Sequence, residues 1–70
     1  MQFKRLRDLR EDNDYTQQYV ANYLKINRVV YARYEHGQRE IPISYLIRLS
    51  DLYGTSIDYI VGVTNKKDMY

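Results

Sequence analysis

The 70-residue chain contains no cysteine, so neither a disulfide nor a zinc–thiolate site can hold its fold together. A chain of this length has room for one hydrophobic core, and we expect a single domain stabilised by packing alone. Hydrophobic residues make up 44% and charged residues 29% of the sequence, which is typical of a globular protein and not of a disordered one. Nine tyrosines and one phenylalanine are expected to supply the bulk of the core.

The sequence carries no sign of membrane attachment or export. No apolar segment approaches the roughly 20 residues that cross a bilayer, and the N-terminal stretch MQFKRLRDLRED is charged throughout, unlike a signal peptide. These features predict a cytoplasmic protein. With a net charge of +2 the chain is only mildly basic, but its cations cluster near the N-terminus and again between Arg28 and Arg39. This distribution permits a local basic surface without establishing one.

Helix-capping residues and glycines divide the sequence into short helical segments, and alternation typical of strands never runs far. The pattern therefore predicts a compact all-α domain over residues 1–63, followed by a polar, frayed tail over residues 64–70. The predicted helices are one from Gln2 to Asn13, one capped by Thr16, one from the Asn27 cap to His36 with Gly37 as its stop, one from Pro42 to Gly54, and one from the Ser56 cap to Gly62.

The fourth predicted helix has an apolar stripe that is expected to face the core. Its members are Ile43, Leu46, Leu49, Ser50 and Tyr53.

Two short helices joined by a tight turn are typical of the helix-turn-helix of DNA-binding proteins. The stretch TQQYVANYLKINRVVYARYEHG resembles the helix-turn-helix of the phage-repressor family, the Cro- and repressor-like (XRE-family) bacterial regulators. The segments LRDLRED and YGTSIDYIVG are also similar to that family, so the resemblance covers roughly residues 3 to 62. It implies a five-helix lambda-repressor-like domain whose second and third helices form the motif. The implied function is sequence-specific binding of double-stranded DNA by a transcriptional repressor.

The third predicted helix carries the candidate base-reading side chains. Tyr31 and Tyr34 fall on the side that would be buried, at about 100° per residue, and smaller or cationic residues fall on the other. A helix entering a major groove about 12 Å wide needs small side chains for close approach, while arginine pairs with guanine and methyl groups contact thymine. The alternative for the arginines is a solvated helix face. The predicted base contacts are Arg28, Val29, Ala32 and Arg33.

The resemblance also implies contacts to the DNA backbone. In the family, a glutamine at the start of the second helix bonds a phosphate, and the loop after the third helix runs along the sugar-phosphate backbone. Simpler roles exist for these residues, since Asn27 can cap its helix and basic residues of a loop are often merely solvated. A metal role for His36 is disfavoured, because it is the only histidine and no cysteine accompanies it. The predicted phosphate contacts are Gln17, Asn27, His36, Gln38 and Arg39.

Three further features depend on the resemblance. An ion pair between Arg10 and Glu35 would fix the angle of the third helix. Family dimers pair through the last helix and the adjoining loop, which implies a homodimer on a palindromic site. Lys25 occupies the turn position that usually holds glycine, because the backbone there is left-handed. The predicted dimer contacts are Tyr59, Val61 and Val63, whereas Ile60 more simply closes the core.

Other functions fit the sequence less well. The same fold could act as a protein-interaction module, such as an antitoxin or anti-repressor, but its recognition helix would then lack arginine readers. An enzyme is disfavoured because the usual nucleophiles and bases are absent or isolated. We therefore expect no catalytic residue, metal, cofactor or small-molecule ligand. A bacterial, phage or mobile-element origin and a location at the nucleoid are expected.

Overall fold

The computed structural model describes residues 3–67 and contains five α-helices and no strand within that range. The all-α architecture predicted from the capping pattern is confirmed. Gln2, predicted to open the first helix, lies outside the described residues. None of the described helices combines the length and the apolar character needed to cross a membrane. The helices are α1 (Lys4–Asp12), α2 (Gln17–Leu24), α3 (Arg28–Glu35), α4 (Ile43–Tyr53) and α5 (Ile57–Val61).

Local side-chain chemistry sets where the helices begin. The side-chain oxygens of Thr16, Asn27 and Ser56 each accept a hydrogen bond from a backbone N–H in the first turn of the helix that follows. Each oxygen satisfies one of the donors that a helix start leaves without a partner. Pro42 differs slightly from the prediction, because its ψ of 147° makes it the cap of α4 and not a residue of the first turn.

The helix ends use left-handed residues, as predicted. Gly37, Gly54 and Gly62 follow α3, α4 and α5 with φ values of 74°, 61° and 90°. Lys25, which follows α2, has φ 60° and ψ 43° and so adopts the same conformation without being glycine. A side chain in this region costs about 1 kcal/mol, so the turn between α2 and α3 must be held by other contacts.

The core consists mainly of leucine, isoleucine and valine. Tyr31 and Tyr34 are the only buried tyrosines among those that the structure describes, so the prediction that aromatic residues form the bulk of the core is wrong. A phenol hydroxyl needs water or a partner, which keeps most of the other tyrosines at the edge of the core. The buried apolar residues are Leu6, Leu9, Val20, Ala21, Leu24, Tyr31, Tyr34, Ile41, Leu46, Leu49 and Ile60.

The α4 stripe is confirmed except at its first residue. Leu46, Leu49 and Ser50 are buried and Tyr53 is half-buried, but 62% of the surface of Ile43 is exposed. At 100° per residue, Ile43 lies about 70° from the middle of the buried stripe. It also occupies the first turn of the helix, so the prediction that Ile43 faces the core is wrong.

Residues 64–67 are attached to the body of the fold and are not frayed. The Arg5 guanidinium donates to the carbonyl of Thr64 (2.5 Å) and to the side-chain oxygen of Asn65 (2.7 Å). The carbonyl of Lys67 accepts hydrogen bonds from residues at the start of α5. The expected fraying is therefore wrong for this part of the tail, and residues 68–70 lie outside the described range.

Candidate nucleic-acid interface

One side of α3 faces solvent and carries all four residues predicted to contact bases. Arg28 and Arg33 are exposed, 46% of the surface of Val29 is exposed, and Ala32 is half-buried. Their shared side follows from the helical period, because the residues between them point into the core. The result is an exposed surface with two long cations separated by small apolar side chains.

The opposite side of α3 is anchored in the protein. Tyr31 and Tyr34 are buried in the same cluster as Val20, Ala21 and Leu24 of α2. An isolated helix of eight residues is unstable in water, so this packing keeps α3 folded. The buried side therefore determines which residues the exposed side presents.

The structure brings Arg10 and Glu35 together in a two-pronged ion pair between α1 and the end of α3. Arg10 Nε lies 2.7 Å from Glu35 Oε2, and Arg10 Nη2 lies 3.3 Å from Glu35 Oε1. Only 2% of the Glu35 surface is exposed. A third Arg10 nitrogen, Nη1, donates to the carbonyl of Tyr15 in the loop before α2 (3.0 Å).

The surroundings of Glu35 keep it ionised. Burial alone would raise the pKa of this carboxyl, but its interactions with Arg10, Tyr31 and Gln17 outweigh burial and lower the pKa. The pKa of Arg10 is raised, chiefly by its hydrogen bond to Glu35. The pKa of Tyr31 and that of Tyr53 are raised by burial and then by the nearby carboxylate, so both phenols stay protonated.

Gln17 connects this ion pair to the start of α3. Its Nε2 donates to Glu35 Oε1 (3.3 Å), and its Oε1 accepts a longer hydrogen bond from Arg28 Nη1 (3.4 Å). Four side chains from three helices therefore form one chain, in the order Arg10, Glu35, Gln17 and Arg28. Sequence reasoning missed the link to Arg28, since the position of Gln17 at the start of α2 does not reveal which side chain of α3 lies beside it.

The other predicted phosphate contacts lie at the two ends of α3. Asn27 caps the helix through its Oδ1, which accepts from the N–H of Val29 (2.7 Å), and the side chain is exposed. His36 ends the helix and is exposed, as are Gln38 and Arg39 just beyond it. Polar side chains thus flank the exposed side of α3 at both ends.

The predicted dimer residues have unequal exposure. Tyr59 is half-buried, and the Arg5 guanidinium lies 4.1 Å from its ring centroid. Val61 is half-buried, and Val63 is 72% exposed. Ile60 is buried in the core, as expected.

A second exposed apolar surface was not foreseen. Ile43 and Ile47 lie four residues apart on the same side of α4, with exposed fractions of 62% and 49%. Ile43 was predicted to belong to the buried stripe and Ile47 was not, and the packing of α4 leaves both exposed. Among the described residues, no group of three or more His, Cys, Asp or Glu side chains could hold a metal ion.

Comparison with known proteins defines the class to which this fold and surface belong. A helix-turn-helix family model matches residues 6–60, and the structure places α2, the turn and α3 inside that range. The chain therefore belongs to the helix-turn-helix family of transcriptional regulators, as the resemblance implied.

Similar curated proteins come from Bacillus subtilis. The chain is 35% identical over 68 residues to the uncharacterized HTH-type transcriptional regulator YobD, covering 97% of this chain and 61% of that protein. It is 36% identical over 67 residues to the HTH-type transcriptional regulator AnsR, covering 96% and 58%. It is 36% identical over 62 residues to the SPbeta prophage-derived regulator YonR, covering 89% and 57%. The chain thus spans less than two thirds of the length of these relatives. No solved structure matches it.

Proposed function

We propose that this protein binds a specific sequence of double-stranded DNA with α3 in the major groove and acts as a transcriptional repressor. Family membership implies DNA binding. The observation that carries the finer proposal is the exposed side of α3, where Arg28, Val29 and Arg33 face solvent while the opposite side is fixed in the core. A helix that reads bases in the major groove needs an exposed side with cationic side chains for the bases and small side chains for close approach.

Each residue on this side has a chemical role in the proposal. Arg28 and Arg33 donate paired hydrogen bonds to guanine O6 and N7, and each such pair discriminates against the wrong base by about 1–3 kcal/mol. Val29 offers methyl groups to thymine, and Ala32 is small enough to let the helix approach the bases. Because Gln17 accepts from Arg28, this arginine is oriented before DNA binds, so less side-chain entropy is lost on binding.

The phosphate contacts fix the position of α3 in the groove. Gln17 stands at the start of α2, where the helix dipole and free backbone N–H groups favour an anion. Asn27 lies at the start of α3, and His36, Gln38 and Arg39 lie just after its end. Contacts at both ends of a helix define its register on the duplex, although they carry no sequence information.

In this proposal two copies bind a palindromic operator as a homodimer, with half-sites about 34 Å apart. One α3 reads only a few base pairs, so pairing supplies the missing specificity. The end of α5 and the loop after it are the candidate interface, because Val63 is more exposed than any other large apolar residue that the structure describes. Tyr59 and Val61 contribute smaller surfaces beside it. Occupation of an operator that overlaps a promoter excludes the polymerase, and this is the proposed mode of repression.

Selection of bound sequences from a random duplex library at about 150 mM salt tests the proposal. We expect enrichment of a palindrome with half-sites about one turn apart, and loss of one guanine preference per half-site in Arg33→Ala. Arg7→Ala is the matched control, because Arg7 is an exposed arginine of α1 paired with Glu11 and distant from α3 in the sequence. Binding that shows no enrichment and only weakens with salt would contradict sequence-specific reading. In that case a protein partner, as for an antitoxin, would become the better hypothesis.

A further inference from the structure

The C-terminal end of α2 has a complete set of hydrogen-bond partners, although it leads into an unfavourable turn. The last four carbonyls of a helix lack partners within the helix. Here the N–H of Ile26 bonds the carbonyl of Ala21 (2.9 Å), and the N–H of Lys25 bonds that of Asn22 (3.1 Å). This pair of bonds is the Schellman motif, which requires a left-handed residue directly after the helix. Two carbonyls, those of Tyr23 and Leu24, are left for other donors.

Arg48 of α4 supplies both missing donors. Its Nη2 donates to the carbonyl of Tyr23 (2.5 Å) and its Nη1 to that of Leu24 (3.2 Å). The guanidinium also lies 5.3 Å from the ring centroid of Tyr23, and the Tyr23 hydroxyl donates to the Arg48 carbonyl (3.1 Å). Each residue therefore binds the backbone of the other, and the end of α2 is fastened to the middle of α4.

The two hydrogen bonds that Arg48 donates lie directly beside Lys25. The two carbonyls that Arg48 binds belong to the two residues before Lys25, and α3 begins three residues after it. Lys25 is held at φ 60°, where a side chain clashes with the backbone and where the family usually has glycine. A change of the backbone angles at Lys25 would rotate α3 against α2, and so would move the whole exposed side of α3.

We propose that Arg48 is a positioning residue for DNA recognition, which holds the turn at Lys25 in its left-handed conformation and thereby sets the angle of α3. This inference rests on the proposed function, because it assigns Arg48 to the same DNA-binding surface. Arg48 acts through the turn and does not contact DNA, since its side chain is partly buried and two of its nitrogens are bound to carbonyls.

Arg48→Met and Lys25→Gly, alone and combined, separate this role from general stabilisation. Methionine keeps the apolar stem of Arg48 and removes both donors, while glycine removes the strain at position 25. Operator affinity is measured beside affinity for an unrelated duplex. Amide hydrogen exchange at Lys25 and Ile26 is followed by NMR, because both amides donate in the turn. Arg7→Met controls for the loss of one positive charge, and Arg48→Lys provides a milder variant that keeps the charge but replaces two donating nitrogens with one.

We expect Arg48→Met to lose about fivefold in operator affinity, the factor equivalent to the strain of one left-handed side chain, with little change on the unrelated duplex. Exchange at both turn amides should accelerate by a similar factor. In the Lys25→Gly background the same substitution should cost no more than about twofold in either measurement, because glycine adopts the conformation without help. Arg48→Lys should fall between wild type and Arg48→Met.

If Arg48→Met reduced operator affinity equally in wild type and in the Lys25→Gly background, the inference would be overturned, since Arg48 would then act independently of the turn. Unchanged affinity and exchange in Arg48→Met would overturn it as well. If wild type selects no operator, the proposed function has failed, and the exchange data alone decide whether Arg48 holds the turn.

Discussion

Glu35, the last residue of α3, combines a buried carboxylate with partners on α1 and α2, and this arrangement makes it the most consequential single residue of that helix. Arg10 forms an ion pair with Glu35, and Gln17 is hydrogen-bonded to both Glu35 and Arg28. A buried charge is stabilising only while its partners are present, because desolvation is otherwise uncompensated. Because the pair must offset the cost of burying its charges, we expect it to affect the position of α3 more than the net stability of the fold.

Glu35→Gln is expected to lower the free energy of unfolding by about 3 kcal/mol at pH 7, because Arg10 loses its counter-charge in a mostly buried site. The pKa of Glu35 is lowered in the folded state, so the unfolded chain takes up the proton first as the pH falls. The stabilisation is full above the unfolded value of about 4.3 and is lost as the pH drops through the folded pKa. Urea unfolding of wild type and variant between pH 2.5 and 7 measures this pH dependence of the free energy of unfolding. A difference in that free energy between variant and wild type that does not shrink in acid would contradict the prediction.

Gln17→Ala tests whether Arg28 needs orientation. We expect operator affinity to fall about tenfold, with weaker preference for the base that Arg28 reads, because both the phosphate contact and the hydrogen bond to Arg28 are lost. Gln18→Ala is the control, since Gln18 is exposed and bonds only Asn22 within the described hydrogen-bond network. Fluorescence anisotropy on operator and base-substituted duplexes gives both numbers. Equal behaviour of the two variants would exclude the orienting role.

At the scale of elements, α3 is too short to be helical by itself and depends on its cap and its neighbours. Asn27 supplies the cap, α2 covers Tyr31, and α1 holds the far end through Glu35. The helix that would read DNA is thus positioned at its start, its middle and its end by different parts of the chain.

Asn27→Ala should lower stability by about 1 kcal/mol, because the first turn of α3 loses its side-chain acceptor. Operator affinity should fall by more than this stability loss explains, for two reasons. Fraying of the first turn displaces Arg28, and the substitution itself removes the Asn27 side-chain amide, a predicted phosphate contact. Asn22→Ala removes an amide from the exposed side of α2 and serves as the control. Thermal unfolding and anisotropy are the measurements. Retention of wild-type affinity at a reduced unfolding temperature would limit Asn27 to capping.

At the scale of the whole molecule, several exposed apolar side chains lie away from the proposed reading helix. Arg28 and Arg33 are exposed on α3, whereas Ile43 and Ile47 are exposed on α4 and Val63 after α5. This division leaves room for a second copy while α3 is bound to DNA. It also offers two competing dimer surfaces, one around Val63 and one around Ile43 and Ile47.

Val63→Asp and Ile47→Asp distinguish these surfaces. If pairing uses the end of α5, Val63→Asp should weaken dimerisation at least tenfold, because each interface would bury two carboxylates without partners. Ile47→Asp should then leave it unchanged. Analytical ultracentrifugation with and without operator duplex measures both. Loss of the dimer in Ile47→Asp alone would place the interface on α4, and a monomer on DNA in wild type would refute the homodimer.

The sequence alone determined the features that depend on neighbouring residues. Thr16, Asn27 and Ser56 cap helices through contacts within one turn, and the left-handed positions after α3, α4 and α5 follow from glycine. The helical period was enough to separate the exposed side of α3 from the buried side. These signals fixed the helices and the candidate reading surface, because their physics is local.

Only the tertiary structure decided which distant groups meet. It turned Ile43 to solvent, joined Gln17 to Arg28, and placed Arg48 at the end of α2. Such contacts depend on the angles between helices, which arise from the packing of all five together and leave no periodic trace in the sequence. The residues that would read DNA were thus visible in the sequence, whereas those that hold them in position became visible only in the fold.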